Sequence, residues 1–237
     1  MTRLLAVHGV ACALFSCVIV AQQSPQPGQA TAPPSRERAI ATREALRAEG
    51  LRGVAKLNGG EYSTTFVPHS DFGVFKGMEY LAASSDVVVV GTAVSTVSKM
   101  SLGGERVFSY VTVAVTDAPK GAPAGEIIVK VEGGRFRFDD GIEVESKSSD
   151  ERFGLIPGRR YALFLELITQ DRTNNPLDLN SPVFRPTNAS QGIFDVSNRA
   201  VVAQASPTMP IWKEANGEPT DQFLAKLPGV ALTPPRR

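Results

Sequence analysis

The chain has 237 residues, 42% of them hydrophobic and 21% charged, a balance ordinary for a folded domain and long enough to bury a core. Twenty-five Lys and Arg stand against 24 Asp and Glu, for a formal charge of +1. Near-neutrality argues against nucleic acid or an anionic membrane as the main partner, since both select strongly basic surfaces.

The first residues have their own pattern. Arg3 precedes an uncharged apolar run over residues 4–21, and Ile19-Val20-Ala21 ends it ahead of Gln22-Gln23. A positive start, an apolar middle and small residues at a cleavage point describe a secretory signal peptide over residues 1–21. A membrane anchor is the alternative, for which the run is barely long enough. Leu14-Phe15-Ser16-Cys17 has the outline of a lipobox, but Phe15 is unusual there and the chain stays apolar to Val20. The expected location is therefore secreted or periplasmic, with a lipoprotein at Cys17 as the alternative. Cys12 and Cys17 are the only cysteines. A chain cut after residue 21 has no thiol nucleophile, disulfide or cysteine metal ligand. No later stretch is long and apolar enough to span a bilayer.

Residues 22–35 are Gln, Pro, Ala and Ser without period, a disordered linker by composition. Residues 36–49 are rich in Ala, Arg and Glu between Ser35, a possible N-cap, and Gly50, and predict a charged helix, either solvated or docked. Residues 51–71 lack a clear period, so 36–71 reads as a helix with an irregular extension. In residues 72–83, Phe75, Met78, Leu81 and Ala82 recur at helical spacing.

The domain proper is expected over residues 72–230. Residues 85–97 open it with four consecutive valines, Val87 to Val90, whose stiff β-branched side chains suit a buried strand. After the Gly103-Gly104 turn, residues 107–116 alternate, and residues 126–131 form a third strand before Gly133-Gly134. Phe136 and Phe138 alternate up to Asp139-Asp140-Gly141, and Ile142 and Val144 alternate after it, which predicts a hairpin. Residues 161–167 are apolar almost throughout and predict a central strand. Residues 171–180 read as a loop, 192–196 and 200–203 as short extended pieces, 220–227 as a helix capped by Thr220, and 231–237 as a disordered tail. Closely spaced strands predict a mainly β fold, a small barrel or sandwich.

A helix, the valine strand at residues 85–91, a strand at 110–117, Lys120-Gly121 before residues 127–131, and Gly-Arg-Arg-Tyr-Ala-Leu-Phe-Leu at 158–165 together resemble the netrin-like module of tissue inhibitors of metalloproteinases. They are also similar to exported bacterial proteins in which a Gln-Gly-Ile-Phe piece, here residues 191–194, follows. The resemblance covers about residues 75–205. It implies an OB-like Greek-key five-stranded barrel with flanking helices. It does not bring inhibition of zinc proteases with it. Those inhibitors begin their mature chain with a zinc-chelating cysteine and are stapled by disulfides, and this chain after cleavage would begin at Gln22 with neither.

Catalytic spacing is absent. His69, the only histidine after residue 21, stands beside Ser70 and Asp71, but triad members assemble in space and no Gly-x-Ser-x-Gly elbow is present. A zinc site needs about three protein ligands, usually including His, so neither metal nor cofactor is expected. Asp139, Asp140, Glu143 and Glu145 form the densest acidic cluster, with spacing that fits a hairpin better than a calcium loop. Arg135 and Arg137 alternate with Phe136 and Phe138, giving one cationic and one aromatic face. The candidate binding residues are Arg135, Arg137, Asp139, Asp140, Arg159 and Arg160. Asn188-Ala189-Ser190 is a formal glycosylation sequon, and Trp212 is expected to pack the C-terminal segment onto the domain. The sequence thus predicts a non-enzymatic binding domain with a protein or saccharide partner in the cell envelope or outside the cell. The alternatives are a hydrolase assembled around His69 and nearby acids, and a structural envelope protein.

Overall fold

The valines of the opening strand divide between two cores. In the computed structural model, which describes residues 35–67, 73–121, 123–150, 153–168 and 182–232, they lie in strand β2 (Val87–Met100). Val87 and Val89 enter one apolar cluster, with Val111, Val113, Val129 and Leu163. Val88 and Val90 enter another, with Leu81, Phe164, Phe194 and Phe223. A strand covered on both faces has no position for a polar residue, which is why its sequence does not alternate. The central strand β7 (Arg160–Leu167) does the same, with Tyr161, Leu163 and Leu165 on one side and Ala162 and Phe164 on the other.

Around these two run β3 (Val107–Lys120), β4 (Glu126–Glu132), β8 (Val183–Pro186), β9 (Ile193–Asp195) and β10 (Val202–Ala203). Their order in one seven-stranded sheet is β10-β9-β7-β2-β3-β4-β8. Strand β8 is parallel to β4 at Ile128 and Val129 and antiparallel to β7 at Leu165–Leu167, so the ladder β7-β2-β3-β4-β8 returns to β7. Mainly β with flanking helices is what the sequence predicted. The extended pieces expected at 192–196 and 200–203 hold β9 and β10, while β8 in this sheet and the strand Glu61–Phe66 in a second sheet of three strands are additions to the expected strands.

Helices α3 (Met78–Ser84), α4 (Pro210–Ala215) and α5 (Thr220–Leu232) cover the Phe164 face. The rings of Phe164, Phe194 and Phe223 stack in series, 5.5 and 5.3 Å apart. Trp212 packs against this cluster as expected, with its indole N–H buried and unpartnered among the described residues. The first helix turn of the 72–83 segment is missing: α3 starts only at Met78, whose N–H donates to Glu214 Oε2 at 3.1 Å. Its end is tied by Lys120, whose Nζ donates to the carbonyls of Ala82 (2.8 Å) and Ser85 (2.6 Å). Helix α5 continues five residues past the expected end and into the expected tail. Thr220 is its first residue rather than its cap, and the hydroxyl donates to Asn198 O at 2.6 Å.

The three-stranded sheet is β1 (Glu61–Phe66), β6 (Glu143–Ser148) and β5 (Gly134–Arg137), in the order β1-β6-β5. The expected hairpin is present as β5 and β6, with Phe136 opposite Val144. The 51–71 extension is more regular than its sequence suggests. It holds α2 (Leu51–Leu57) and β1, which runs parallel to β6 from Glu61 opposite Glu143 to Phe66 opposite Ser148. The predicted helix α1 (Arg36–Glu49) is present, with no buried residue of its own, and Leu46 near its end packs with Leu51, Val107 and Val144. Residues 36–237 group as one compact unit. The expected signal peptide, most of the linker, His69 to Asp71, the 171–180 loop and the last five residues lie outside the described residues. Among the described residues no helix is long and apolar enough to cross a membrane.

Candidate functional site

Strand β4 and the hairpin part company at Gly133-Gly134, and the fork between them is a cleft of about 430 Å³. Both glycines have positive φ, 100° and 130°. At Gly134 a side chain would run into the hydroxyls of Ser98 and Ser109, and at Gly133 a Cβ would lie 3.0 Å from Ser146 O. Only glycine permits both the dihedrals and the close approach. Ser109 fixes the bend by donating its hydroxyl to Gly133 O at 2.8 Å.

One lip is the end of β4 with Arg135 on β5; the other is residues 145–148 of β6; the third wall is residues 153–156. That third wall is tied at three points. Gly154 exchanges both main-chain bonds with the Gln204 carboxamide, at 2.9 and 2.7 Å. The Ile156 N–H donates to the Tyr161 hydroxyl oxygen at 2.9 Å. The Phe153 ring meets Phe66 of β1 edge to face at 6.1 Å. Tyr161 is wholly buried, and that burial raises its phenol pKa, opposed by the Ile156 N–H.

The charges on the rim are matched. Glu145 lies between Lys147 (2.9 Å) and Arg135 (3.2 Å), and Arg135 also reaches Glu143 at 3.3 Å. The hydrogen bond from Lys147, aided by Arg135, holds the Glu145 carboxyl below the usual range against the opposing effect of burial. The same carboxylate raises the Arg135 guanidinium. Glu132 on the facing lip is 3.7 Å from Arg106. A carboxylate kept ionised by two cations anchors a surface; it is poorly placed to donate a proton near neutral pH. Among the described residues no group of three or more His, Cys, Asp or Glu could hold a metal ion.

Of the six candidate residues, only Arg135 lines the cleft. Arg137, Asp139 and Asp140 are exposed near the hairpin tip. Asp140 is paired with Arg52 of α2 at 2.5 Å, and that hydrogen bond lowers its pKa. The Arg52 guanidinium also covers the Phe138 ring at 5.2 Å. Arg159 binds the buried Asp195 at 3.0 Å, and the Arg160 main chain bonds the Ser197 hydroxyl at 2.8 Å, which fixes the entry to β7. The six are therefore dispersed over three places. The aromatic face of the hairpin turns inward: Phe136 and Phe138 stack edge to face at 4.9 Å and pack with Leu51, Val107 and Val144. The sequon is also occupied structurally, because Asn188 is buried in the left-handed region and its Nδ2 donates to Gly73 O at 2.6 Å. Sequence reasoning passed over Lys147, Ser148 and Phe153, whose ranges carry no motif; the double glycine was the available signal, since two adjacent glycines after a strand mark a sharp bend as well as its end.

No known protein-family model matches the chain, and no curated protein sequence matches it.

Proposed function

We propose that the protein is an exported, non-enzymatic binding domain built on an OB-type five-stranded Greek-key barrel, with the cleft at Gly133-Gly134 as its ligand site. The observation that carries the reading is the cleft itself, an open fork in which Glu145, Arg135 and Lys147 are ion-paired to one another rather than poised against a substrate. Its volume falls in the range of sites that hold small ligands or short peptide segments. The barrel is supported by the ladder that returns from β8 to β7, with β8 parallel to β4, and by the resemblance to netrin-like modules. Export is supported by the pattern of residues 1–21.

Two measurements test the reading together. Intact-mass analysis of the protein recovered from its host should give a chain beginning at Gln22. The purified protein should turn over none of a panel of ester, phosphate, peptide and glycoside substrates. A specific hydrolysis lost in His69→Ala would overturn the non-enzymatic assignment.

A further inference from the structure

The main chain around the fork is out of pairing in a definite way. Antiparallel hydrogen bonds alternate along a strand, and the bonds Gly133 N to Val107 O and Val115 N to Gly125 O set the phase of β4 against β3. Residues 127, 129 and 131 therefore turn their N–H and C=O towards β3, and residues 128, 130 and 132 turn theirs to the other edge. Strand β8 covers that edge at Ile128 and Val129 and goes no further. In the hairpin the bond Phe138 N to Ile142 O sets the phase in the same way, so Phe136 and Val144, then Gly134 and Ser146, exchange bonds. Continued by one more step, the register would pair Glu132 with Ser148. The bend at Gly133-Gly134 separates them. On its far side β6 is already satisfied, with Ser149 N donating to Phe66 O at 2.7 Å. By these phases Glu132 turns its main-chain groups away from β3 and Ser148 turns its own away from β1, both residues line the cleft, and among the described residues neither has a main-chain hydrogen bond on that edge.

We propose that an extended peptide of a partner protein enters this fork as a β-strand and hydrogen-bonds to the main chain of Glu132 and Ser148. This rests on the reading of the cleft as the ligand site and names the class of ligand. Unpaired strand edges bind extended chain through main-chain bonds, while alternate side chains of the added strand find pockets. Here Phe153 and Leu155 supply an apolar wall, and on the rim Arg135 and Lys147 are met by Glu145 and Glu143. Charge does not select the ligand, and the uncommitted groups are main-chain donors and acceptors at strand spacing. A peptide backbone presents its complement in regular alternation, which a saccharide does not.

The test uses the intact protein and a displayed library of random peptides of about eight residues, long enough to form one strand. Peptides selected on the protein are synthesised and also made with alternate amides N-methylated, which removes the donors on one edge. The expected result is saturable binding, slowed hydrogen exchange at the Glu132 and Ser148 amides, and at least about tenfold weaker binding after N-methylation of one alternating set. Ser148→Pro, which deletes the N–H, should weaken binding comparably. If Ser148→Pro does not fold, the N-methylated peptides carry the same question. Equal binding of both methylated sets, protection mapping outside the cleft, or perturbation of the cleft amides by chitotetraose but by no peptide would each overturn the proposal. In those cases a missing hydrolytic activity and a mature start at Gln22 would still leave the binding-domain reading standing.

Discussion

Gln204 closes both ends of its carboxamide on a single residue: Gly154 N–H donates to its Oε1 at 2.9 Å, and its Nε2 donates to Gly154 O at 2.7 Å. Gln204 is 4% exposed and sits just beyond β10, so one side chain on the outer strand fixes the wall of the cleft. Gln204→Leu leaves the half-buried N–H and C=O of Gly154 unmatched within the protein, a loss of about 1–3 kcal/mol in total. The expected outcome is a fall in the denaturant midpoint at unchanged m-value, with faster exchange at the Gly154 amide. Gln204→Glu separates the two halves of the contact. A carboxylate cannot donate to Gly154 O, so the neutral acid is the form the folded protein prefers and its pKa is raised. Its stabilising contribution is present at acid pH and is lost as pH rises through that raised value. A Gln204→Glu variant more stable at pH 7 than at pH 5, relative to the parent, would contradict this geometry.

Lys120 carries a similar responsibility at the end of α3. Its ammonium donates to Ala82 O and Ser85 O, the last carbonyls around α3, where the helix dipole is negative. Hydrogen bonds to a charged group contribute about 1.5–3 kcal/mol each in favourable settings. Lys120 is partly exposed, so a loss of about 1–2 kcal/mol in total is expected for Lys120→Met, which keeps most of the apolar stem. Urea titration measures it. No change in midpoint would mean that water replaces the ammonium at no cost.

What the sequence disclosed follows from how each element is buried. Val87 to Val90 and residues 161–165 are covered on two faces, and their continuous apolar runs could hardly belong to anything else. The hairpin was legible because Asp-Asp-Gly sits at its turn and the alternation on each side is local. Strand β1, Glu-Tyr-Ser-Thr-Thr-Phe, was not: it is half exposed, polar, and paired in parallel with residues about eighty positions away. Short β8 escaped notice for the same reason, as its two ladders reach back to β4 and β7. The cleft was legible only at Arg135. Its walls come from residues 109, 131–135, 145–148, 150 and 153–156, which no local pattern connects. What gathers them is the bend at two glycines, and a glycine pair reads equally well as the end of a strand.

Gly91 lies where the valine strand comes close against β3. A Cβ there would lie 2.6 Å from Ala114 O and 2.7 Å from a Val113 methyl, beside the register shift between Val90 and Gly91. Backbone on one side and a buried valine on the other leave little room to yield. Gly91→Ala should therefore destabilise by more than about 2 kcal/mol, in the class of overpacked core sites. Gly59→Ala is the contrast: its Cβ would meet nothing within 4 Å, and its cost should come only from the positive φ of 83°. Thermal midpoints that rank Gly59→Ala below Gly91→Ala would show that backbone strain, not steric approach, governs these positions.

The ion pairs on the cleft rim set a pH dependence of known sign. Lys147 and Arg135 lower the Glu145 carboxyl, so in the folded state it binds its proton less readily than in the unfolded chain. The unfolded state then takes up more protons on acidification. The Glu145 contribution is complete above the ordinary glutamate range and is lost as pH falls through the depressed folded value. Glu145→Gln should flatten the acid limb of stability against pH and change little at pH 7, because the partners are largely solvated and such pairs contribute modestly. Thermal midpoints from pH 7 down to pH 3 for both proteins decide it. Parallel acid limbs would mean that Glu145 titrates alike in the folded and unfolded chains, and that its two cations lie at the rim without gripping it.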